Sequence, residues 1–138
     1  MMMKRLLLPV VSLLASLSLL ACGGGSSSDA EEHQRAVARA NAKEAEARAL
    51  GSDSPCERVQ QCATLSYLQP STPCPNYLYQ PYSLTAPTAV AASAAAAEQR
   101  ALASQANALA PPSNIACPAA VNPEPLLACT AGRCRAAS

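Results

Sequence analysis

The sequence lacks phenylalanine and tryptophan, and it has few large aliphatic side chains. Half of its residues are hydrophobic, but alanine accounts for 31 of the 138 positions. After residue 21 the large apolar residues are only nine Leu, four Val, one Ile and four Tyr. This composition excludes a large hydrophobic core. It predicts one small domain of the kind that covalent cross-links usually stabilise.

Charge is sparse and balanced, with ten Lys and Arg against nine Asp and Glu and no basic cluster. A protein that binds nucleic acid needs clustered positive charge to displace counterions from phosphate. We therefore expect no nucleic-acid partner.

Residues typical of catalysis are equally scarce. The one histidine, His33, lies in a segment rich in Ala, Glu and Arg, where we expect a solvated side chain. Nucleophilic catalysis by Ser or Cys needs a nearby base, and Glu57, Glu98 and Glu124 show no spacing typical of paired acid–base groups. A Cys-x-x-Cys redox motif is also absent from the sequence. We predict a protein that is not an enzyme and holds no cofactor.

Residues 1–21 are typical of an export signal. Lys4 and Arg5 precede an apolar run over residues 6–20, which is shorter than the about 20 residues that a membrane-spanning helix needs. The run ends in Leu19-Leu20-Ala21-Cys22, and glycines and serines follow up to residue 28.

This junction resembles the lipobox of bacterial lipoprotein precursors. The resemblance implies that Cys22 carries the lipid, that the signal peptide is cut before it, and that the lipid attaches the chain to a membrane. The alternative is a plain secretory signal that is cut after Ala21. Gly23 occupies the position at which Asp retains enterobacterial lipoproteins in the inner membrane, so the resemblance favours the outer membrane, facing the periplasm.

Composition divides the rest of the chain into four segments. In the second segment, residues 29–50, only Val37 and Leu50 are large and apolar. Glu31 with Arg35, and Glu44 with Arg48, have the spacing of helix-stabilising pairs. This segment is therefore expected to be a solvated stalk, helical or disordered. The rest of the chain is expected to fold without it. The segments are a flexible tether (22–28), the stalk (29–50), a linker (51–55) and a head (56–138).

The head alternates short strand patterns with one long alanine-rich helix. Strands are expected over residues 61–68, with Leu65 and Tyr67 on one face, and over 77–82 and 115–121. Residues 126–129 and 133–136 are expected to form a hairpin that turns at Ala131-Gly132. The helix is expected over 88–110, where Pro87 suits the first turn, with a packing face at Ala91, Ala95, Leu102, Ala106 and Leu109. The fold class is therefore α+β, a small disulfide-cross-linked antiparallel sheet with one long helix, in the order ββαβββ.

Six cysteines in the head predict three disulfides, because an exported protein folds in an oxidising compartment and the number is even. Zinc is the competing interpretation, but zinc sites favour paired ligands about two to four residues apart, and the head has no histidine. We therefore predict no metal. The six are Cys56, Cys62, Cys74, Cys117, Cys129 and Cys134.

The predicted terminal hairpin suggests one of the pairings. With a two-residue turn, Cys129 faces Cys134 in a non-hydrogen-bonded pair, whose Cα atoms are about 4.5 Å apart, within the range of a disulfide. Cys129–Cys134 is the best single prediction. A longer, bulged loop would instead direct both cysteines to the first strand.

The four tyrosines allow two interpretations. Aromatic side chains anchor protein contacts and stack on sugars, so Tyr67, Tyr77, Tyr79 and Tyr82 could form a binding surface. Because the head has no other aromatic residue, they could equally be its core, which is the interpretation that we favour.

A pattern of prolines, tyrosines and a glycine accompanies the six cysteines: Cys56-x5-Cys62-x-x-Leu65, Cys74-Pro75-x-Tyr77-Leu78-x-x-Pro81-Tyr82-Ser83, Cys117-Pro118-x-x-Val121-x-Pro123 and Cys129-x-x-Gly132-Arg133-Cys134. Over about residues 54–136 it resembles a family of small exported bacterial proteins of uncharacterised function. Members of that family often have Gly-Gly-Pro after the third cysteine, where this chain has Pro75-Asn76-Tyr77. The resemblance implies no catalytic residues.

Two classes of function remain. The first is a lipid-anchored, noncatalytic envelope protein whose head contacts an envelope protein or cell-wall glycan. The alternative is a secreted enzyme inhibitor, or an atypical envelope enzyme, that is stabilised by disulfides.

Overall fold

A computed structural model describes residues 25–118 and 122–137. Within these ranges the fold is α+β, as predicted. No helix that these residues form is long and apolar enough to cross a bilayer. In chain order the α-helices and strands are α1 (Gly25–Leu50), β1 (Cys62–Leu68), β2 (Tyr77–Ser83), α2 (Ala89–Leu109), β3 (Leu127–Thr130) and β4 (Arg133–Ala136), and a short 3-10 helix (Val59–Gln61) precedes β1.

The strands form two antiparallel two-stranded sheets, β1–β2 and β3–β4, where one sheet was expected. The strand predicted over 115–121 does not form at residues 115–118, and residues 119–121 lie outside the described residues. Pro111, Pro112 and Pro118 bracket this segment, and proline cannot donate to a strand ladder. Ile115, its largest described apolar residue, is exposed.

The β1–β2 ribbon matches its prediction closely, with Leu65 and Tyr67 buried. The Leu84 N–H bonds the Gln61 C=O beyond one end of the ladder, and the Gln69 N–H bonds the Asn76 C=O beyond the other. Since hydrogen-bonded pairs alternate with non-bonded pairs in an antiparallel ladder, these two bonds place Pro81, opposite Thr64, in a non-bonded pair. Pro81 therefore removes no ladder hydrogen bond.

Helices α1 and α2 pack against each other more extensively than any other two elements. They run antiparallel: the Thr88 hydroxyl donates to the Leu50 C=O at one end, at 2.7 Å, and the Lys43 ammonium lies 3.1 Å from the Glu98 carboxylate farther along. The seam is built from alanines and one glutamine, and the small alanine side chains let the two backbones approach closely. Its buried members are Ala36, Ala40 and Ala47 on α1, and Ala89, Ala92, Ala96, Gln99, Ala103 and Ala106 on α2.

The prediction that residues 29–50 form a solvated stalk separate from the head is therefore wrong. Ala47 lies in one core cluster with Leu65 and Tyr67, and Ala40 lies in a second with Leu68 and Ala103. The sequence argument counted large apolar groups alone, whereas these alanines bury surface by close helix contact. Residues 25–28 of the predicted flexible tether belong to α1 instead; its residues 22–24 lie outside the described ranges.

The packing face of α2 differs in part from the predicted face. Ala95 and Ala106 are buried as expected, but Ala91 and Leu109 are exposed and Leu102 is half-buried. The prediction assumed that the helix packs on a sheet alone. On the α1 side, the buried positions of α2 are instead spaced alternately by three and four residues, which is the spacing of two helices packed side by side.

Gly51 directly follows Leu50, the last residue of α1. A Cβ atom at this position would lie 2.6 Å from Leu65 Cδ1 and 3.3 Å from Gln80 Nε2. Glycine is therefore needed here for the close approach of the helix end to the β1–β2 ribbon.

Candidate functional site

All six cysteines of the head form disulfides, which confirms the prediction of three. The pairs are Cys56–Cys129, Cys62–Cys134 and Cys74–Cys117. The predicted Cys129–Cys134 bond is therefore wrong, although the hairpin behind it is correct. Ala131 and Gly132 have φ angles of 51° and 71°, as a two-residue type I′ turn requires, and Cys129 lies opposite Cys134 in the ladder.

The pairing differs because a third segment lies beside the hairpin. The Cys56 N–H donates to the Gly132 C=O at 2.9 Å, and the Cys134 N–H donates to the Ser54 C=O at 2.8 Å. These bonds bring Cys56 to the two hairpin cysteines. A Cys129–Cys134 bond would close only a short loop, whereas the observed bonds have sequence separations of 73 and 72 residues and constrain the unfolded chain far more.

Four of the cysteines form one compact group, which we call the cysteine cluster: Cys56, Cys62, Cys129 and Cys134. The Sγ atoms of Cys56, Cys62 and Cys134 all lie within 4.8 Å of one another, and Cys129 is bonded to Cys56. Cys56 is 9% exposed and Cys134 is 4% exposed, and Cys62 and Cys129 are half-buried. The cluster is the densest group of potential metal-ligating atoms among the described residues.

The third disulfide lies at the opposite end of the β1–β2 ribbon. Cys74 is in the loop that joins the two strands, and Cys62 is the first residue of β1. Near that loop the Ser71 N–H donates to Asn107 Oδ1 at 3.0 Å, which places the loop beside the C-terminal end of α2. The disulfides therefore cross-link both ends of the ribbon.

Polar side chains of α2 cover the outer edge of β1. Gln99 is fully buried; its amide accepts from the Leu68 N–H at 3.1 Å and donates to the Leu68 C=O at 2.7 Å. Arg100 donates to the Ser66 C=O at 3.0 Å. Gln99 thus makes the two bonds that a neighbouring strand would make, and it closes an edge that could otherwise pair with another chain. This role was not predicted from the sequence, because only the spacing of Gln99 within the alanine seam indicates it.

The predicted tyrosine surface does not exist as a group of four. Tyr67 and Tyr82 are buried in the core at 0% and 7% exposure, Tyr79 is half-buried, and Tyr77 is 38% exposed. The structure thus confirms the core interpretation for Tyr67 and Tyr82. Tyr77 is the most exposed of the four rings.

Tyr67 is the centre of a polar network between α1 and the ribbon. Its hydroxyl donates to Gln80 Oε1 at 3.0 Å, and Gln80 Nε2 donates to the Arg48 C=O at 3.2 Å. The Arg48 guanidinium lies 4.5 Å from the centre of the Tyr67 ring and pairs with Glu44 at 2.7 Å. Burial raises the pKa of Tyr67 to about 12; Arg48 acts against this rise and Glu44 adds to it.

The raised pKa of Tyr67 predicts a distinct alkaline titration. The difference between the ultraviolet titration curves of the wild type and Tyr67→Phe reports this one phenol, and we expect its midpoint at about 12. Since the folded pKa exceeds the unfolded value of about 10, the stabilisation from the neutral phenol is complete below pH ~10 and is lost as the pH rises toward ~12. A difference curve with its midpoint at about pH 10 would contradict the burial of Tyr67.

Lys43 and His33 are two further polar side chains of α1 whose surroundings differ from the sequence expectation or from water. Glu46 and Glu98 raise the pKa of Lys43, which lies between them. His33 is half-buried, with its Nε2 atom buried and without a hydrogen-bond partner, so the prediction of a solvated side chain is wrong.

A groove of about 860 Å³ opens between the N-terminal half of α1 and the C-terminal end of α2. None of the predicted site residues lines it. The spacing of Arg35 and Arg39 on one helix face is the only signal in the sequence that could have indicated it. The lining residues are Glu32, Arg35, Ala36, Ala38, Arg39, Gln105, Ala108 and Leu109.

Comparisons with protein-family models, with curated proteins and with solved structures find no match. The resemblances to bacterial lipoprotein precursors and to small six-cysteine exported proteins therefore stay predictions.

Proposed function

We propose that this protein is a lipid-anchored lipoprotein of the bacterial cell envelope with a noncatalytic head. One observation carries the proposal: of the seven cysteines in the sequence, six form the three disulfides and Cys22 is the one left over. Three disulfides fit an extracellular or envelope location. The leftover cysteine is the residue that the lipobox-like pattern designates for the lipid.

The short distance between Cys22 and α1 determines how the anchor would hold the head. Helix α1 begins at Gly25, and three residue steps span at most about 11 Å. Since α1 packs along α2, the anchor would hold the whole head close to the membrane. The N-terminal half of α1, which lines the groove, would be the part of the head nearer the membrane, and the cysteine cluster would lie toward the far end of α1, whose 26 residues extend about 39 Å.

The head is proposed to act by binding or as a structural element. Among the described residues, the two groups with shifted pKa values, Lys43 and Tyr67, take part in contacts between α1, α2 and the ribbon. The partner is an envelope protein or cell-wall glycan, with Tyr77 exposed for contact. Gly23 favours the outer membrane, facing the periplasm.

Metabolic labelling with a clickable fatty acid tests the anchor. We expect label on the wild type and none on Cys22→Ala, because the thioether to the lipid forms at this sulfur. Cys117→Ala is the matched control: it removes a cysteine that the structure assigns to a disulfide, and it should label like the wild type.

Label that persists on Cys22→Ala would contradict the proposal. Equal loss of label from both variants, at unchanged protein level, would also contradict it, because Cys22 would then have no special role.

A further inference from the structure

We propose that the cysteine cluster, once its two disulfides are reduced, binds one Zn²⁺ through the thiolates of Cys56, Cys62, Cys129 and Cys134. Four thiolates around zinc, with Zn–S distances of about 2.3 Å, lie about 3.8 Å from one another. Three of these sulfurs already lie within 4.8 Å of one another, and the fourth is bonded to one of them. Small side-chain rotations would therefore convert the cluster into a tetrahedral set.

Backbone hydrogen bonds hold the four cysteines in place independently of the disulfides. The β3–β4 ladder sets Cys129 opposite Cys134, and the bonds from Cys56 to Gly132 and from Cys134 to Ser54 align residues 54–56 with the hairpin. Cys62 is held by the β1–β2 ladder. Reduction breaks the S–S bonds and leaves these hydrogen bonds, so the ligands stay on preformed elements.

The burial of the cluster also suits a structural zinc site. Cys56 and Cys134 are buried, and Cys62 and Cys129 are half-buried, so the four sulfurs are largely enclosed by protein, as in closed zinc sites.

The sequence argued against a metal because the cysteine spacings are not those of common zinc motifs. That objection does not apply to this fold, because the ligands meet across strands from segments more than 70 residues apart. Cys129 and Cys134 come from facing strands of one hairpin, and Cys56 and Cys62 come from the segment that lies beside it.

The reaction balances with a dithiol as the reductant. Each of the two protein disulfides takes up two electrons and two protons and becomes two thiols. For each protein disulfide, one dithiol is oxidised to its own disulfide. Zn²⁺ then replaces the four thiol protons, which are released to solvent. The disulfides and the zinc ion cross-link the same backbone segments. The Cys62 end of the β1–β2 ribbon therefore stays cross-linked to the hairpin in both redox states.

The test uses the full chain with Cys22→Ser, so that the six head cysteines are the only thiols. The protein is reduced with a phosphine, which binds zinc weakly, and is titrated with Co²⁺ and then Zn²⁺ under argon. We expect about one Co²⁺ per chain, with the thiolate-to-cobalt charge-transfer band and the visible bands of a tetrahedral site, and displacement by Zn²⁺. The oxidised protein should show none of these bands.

Matched variants locate the site. The double variant Cys74→Ser/Cys117→Ser removes the third disulfide and leaves the cluster, so it should keep the cobalt bands. Cys56→Ser and Cys134→Ser should each lose them. Zn²⁺ should also raise the Tm of the reduced parent protein and of the Cys74→Ser/Cys117→Ser variant, but not that of Cys134→Ser.

Cobalt bands that survive Cys134→Ser, bands that require Cys74 and Cys117, or a reduced protein that binds no Co²⁺ or Zn²⁺ would each overturn the proposal. None of these outcomes depends on lipid at Cys22, so the proposed zinc site and the proposed anchor can fail separately.

Discussion

Replacing Ala40 by aspartate is expected to destabilise the whole head by about 4 kcal/mol or more, which is a large part of the stability of a small domain. Ala40 is fully buried and shares a core cluster with Leu68 and Ala103. An aspartate there would lose its hydration without gaining a partner, or would have to force α1 away from α2. Chemical denaturation of the oxidised full chain measures the effect.

Ala42→Asp is the matched control, because Ala42 lies on the exposed face of the same helix and the substitution is chemically identical. It should lower the free energy of unfolding by less than about 1 kcal/mol, which is the cost of the poorer helix propensity of aspartate. If residues 29–50 were a solvated stalk, the two variants would have equal stability, so equal values would contradict the packing of α1.

Gln99→Leu is expected to lower the free energy of unfolding by about 2–4 kcal/mol. The leucine fills a similar volume, but it leaves the buried N–H and C=O of Leu68 without the amide that pairs with both. Urea denaturation measures the loss, and Gln105→Leu, at an exposed position of the same helix, is the control. Similar stability of the two variants would show that Gln99 does not serve as the edge partner of β1.

A second substitution at the same position gives a pH-dependent result. In Gln99→Glu the protonated acid can donate to the Leu68 C=O as the amide does, whereas the carboxylate cannot. Its folded pKa should therefore be raised above the unfolded value, so the variant approaches the wild type in acid and falls behind it as the pH rises. A stability difference that is independent of pH would contradict this pairing.

The local elements were predictable from the sequence because their signals are local. The alternation of apolar and polar residues predicted that Leu65 and Tyr67 share a buried face. The two positive φ angles at Ala131 and Gly132 follow from a two-residue turn between short strands. The docking of α1 was not predictable by counting large side chains. Alanine at positions 36, 40 and 47 is also common in exposed helices, and only the matching spacing on α2 distinguishes a seam.

The cysteine pairing was only partly predictable, for a related reason. The sequence places Cys129 opposite Cys134, but it does not show that residues 54–56 lie beside the hairpin. Two backbone hydrogen bonds, from Cys56 and from Cys134, determine this neighbourhood, and backbone bonds between distant segments leave no pattern in side-chain identity. For the same reason the sequence does not indicate the cysteine cluster, because only the tertiary fold brings its members together.

Disulfide mapping of the protein isolated from the cell envelope tests the central claim most directly: that this is an exported protein whose ribbon is cross-linked at both ends. With free thiols alkylated in acid at lysis, trypsin separates Cys56 from Cys62 at Arg58 and Cys129 from Cys134 at Arg133. Chymotrypsin separates the remaining cysteines. The account predicts linked peptides for Cys56–Cys129, Cys62–Cys134 and Cys74–Cys117, with no alkylated cysteine among these six. A peptide that links Cys129 to Cys134, or alkylated cysteines in the head of the isolated protein, would contradict it.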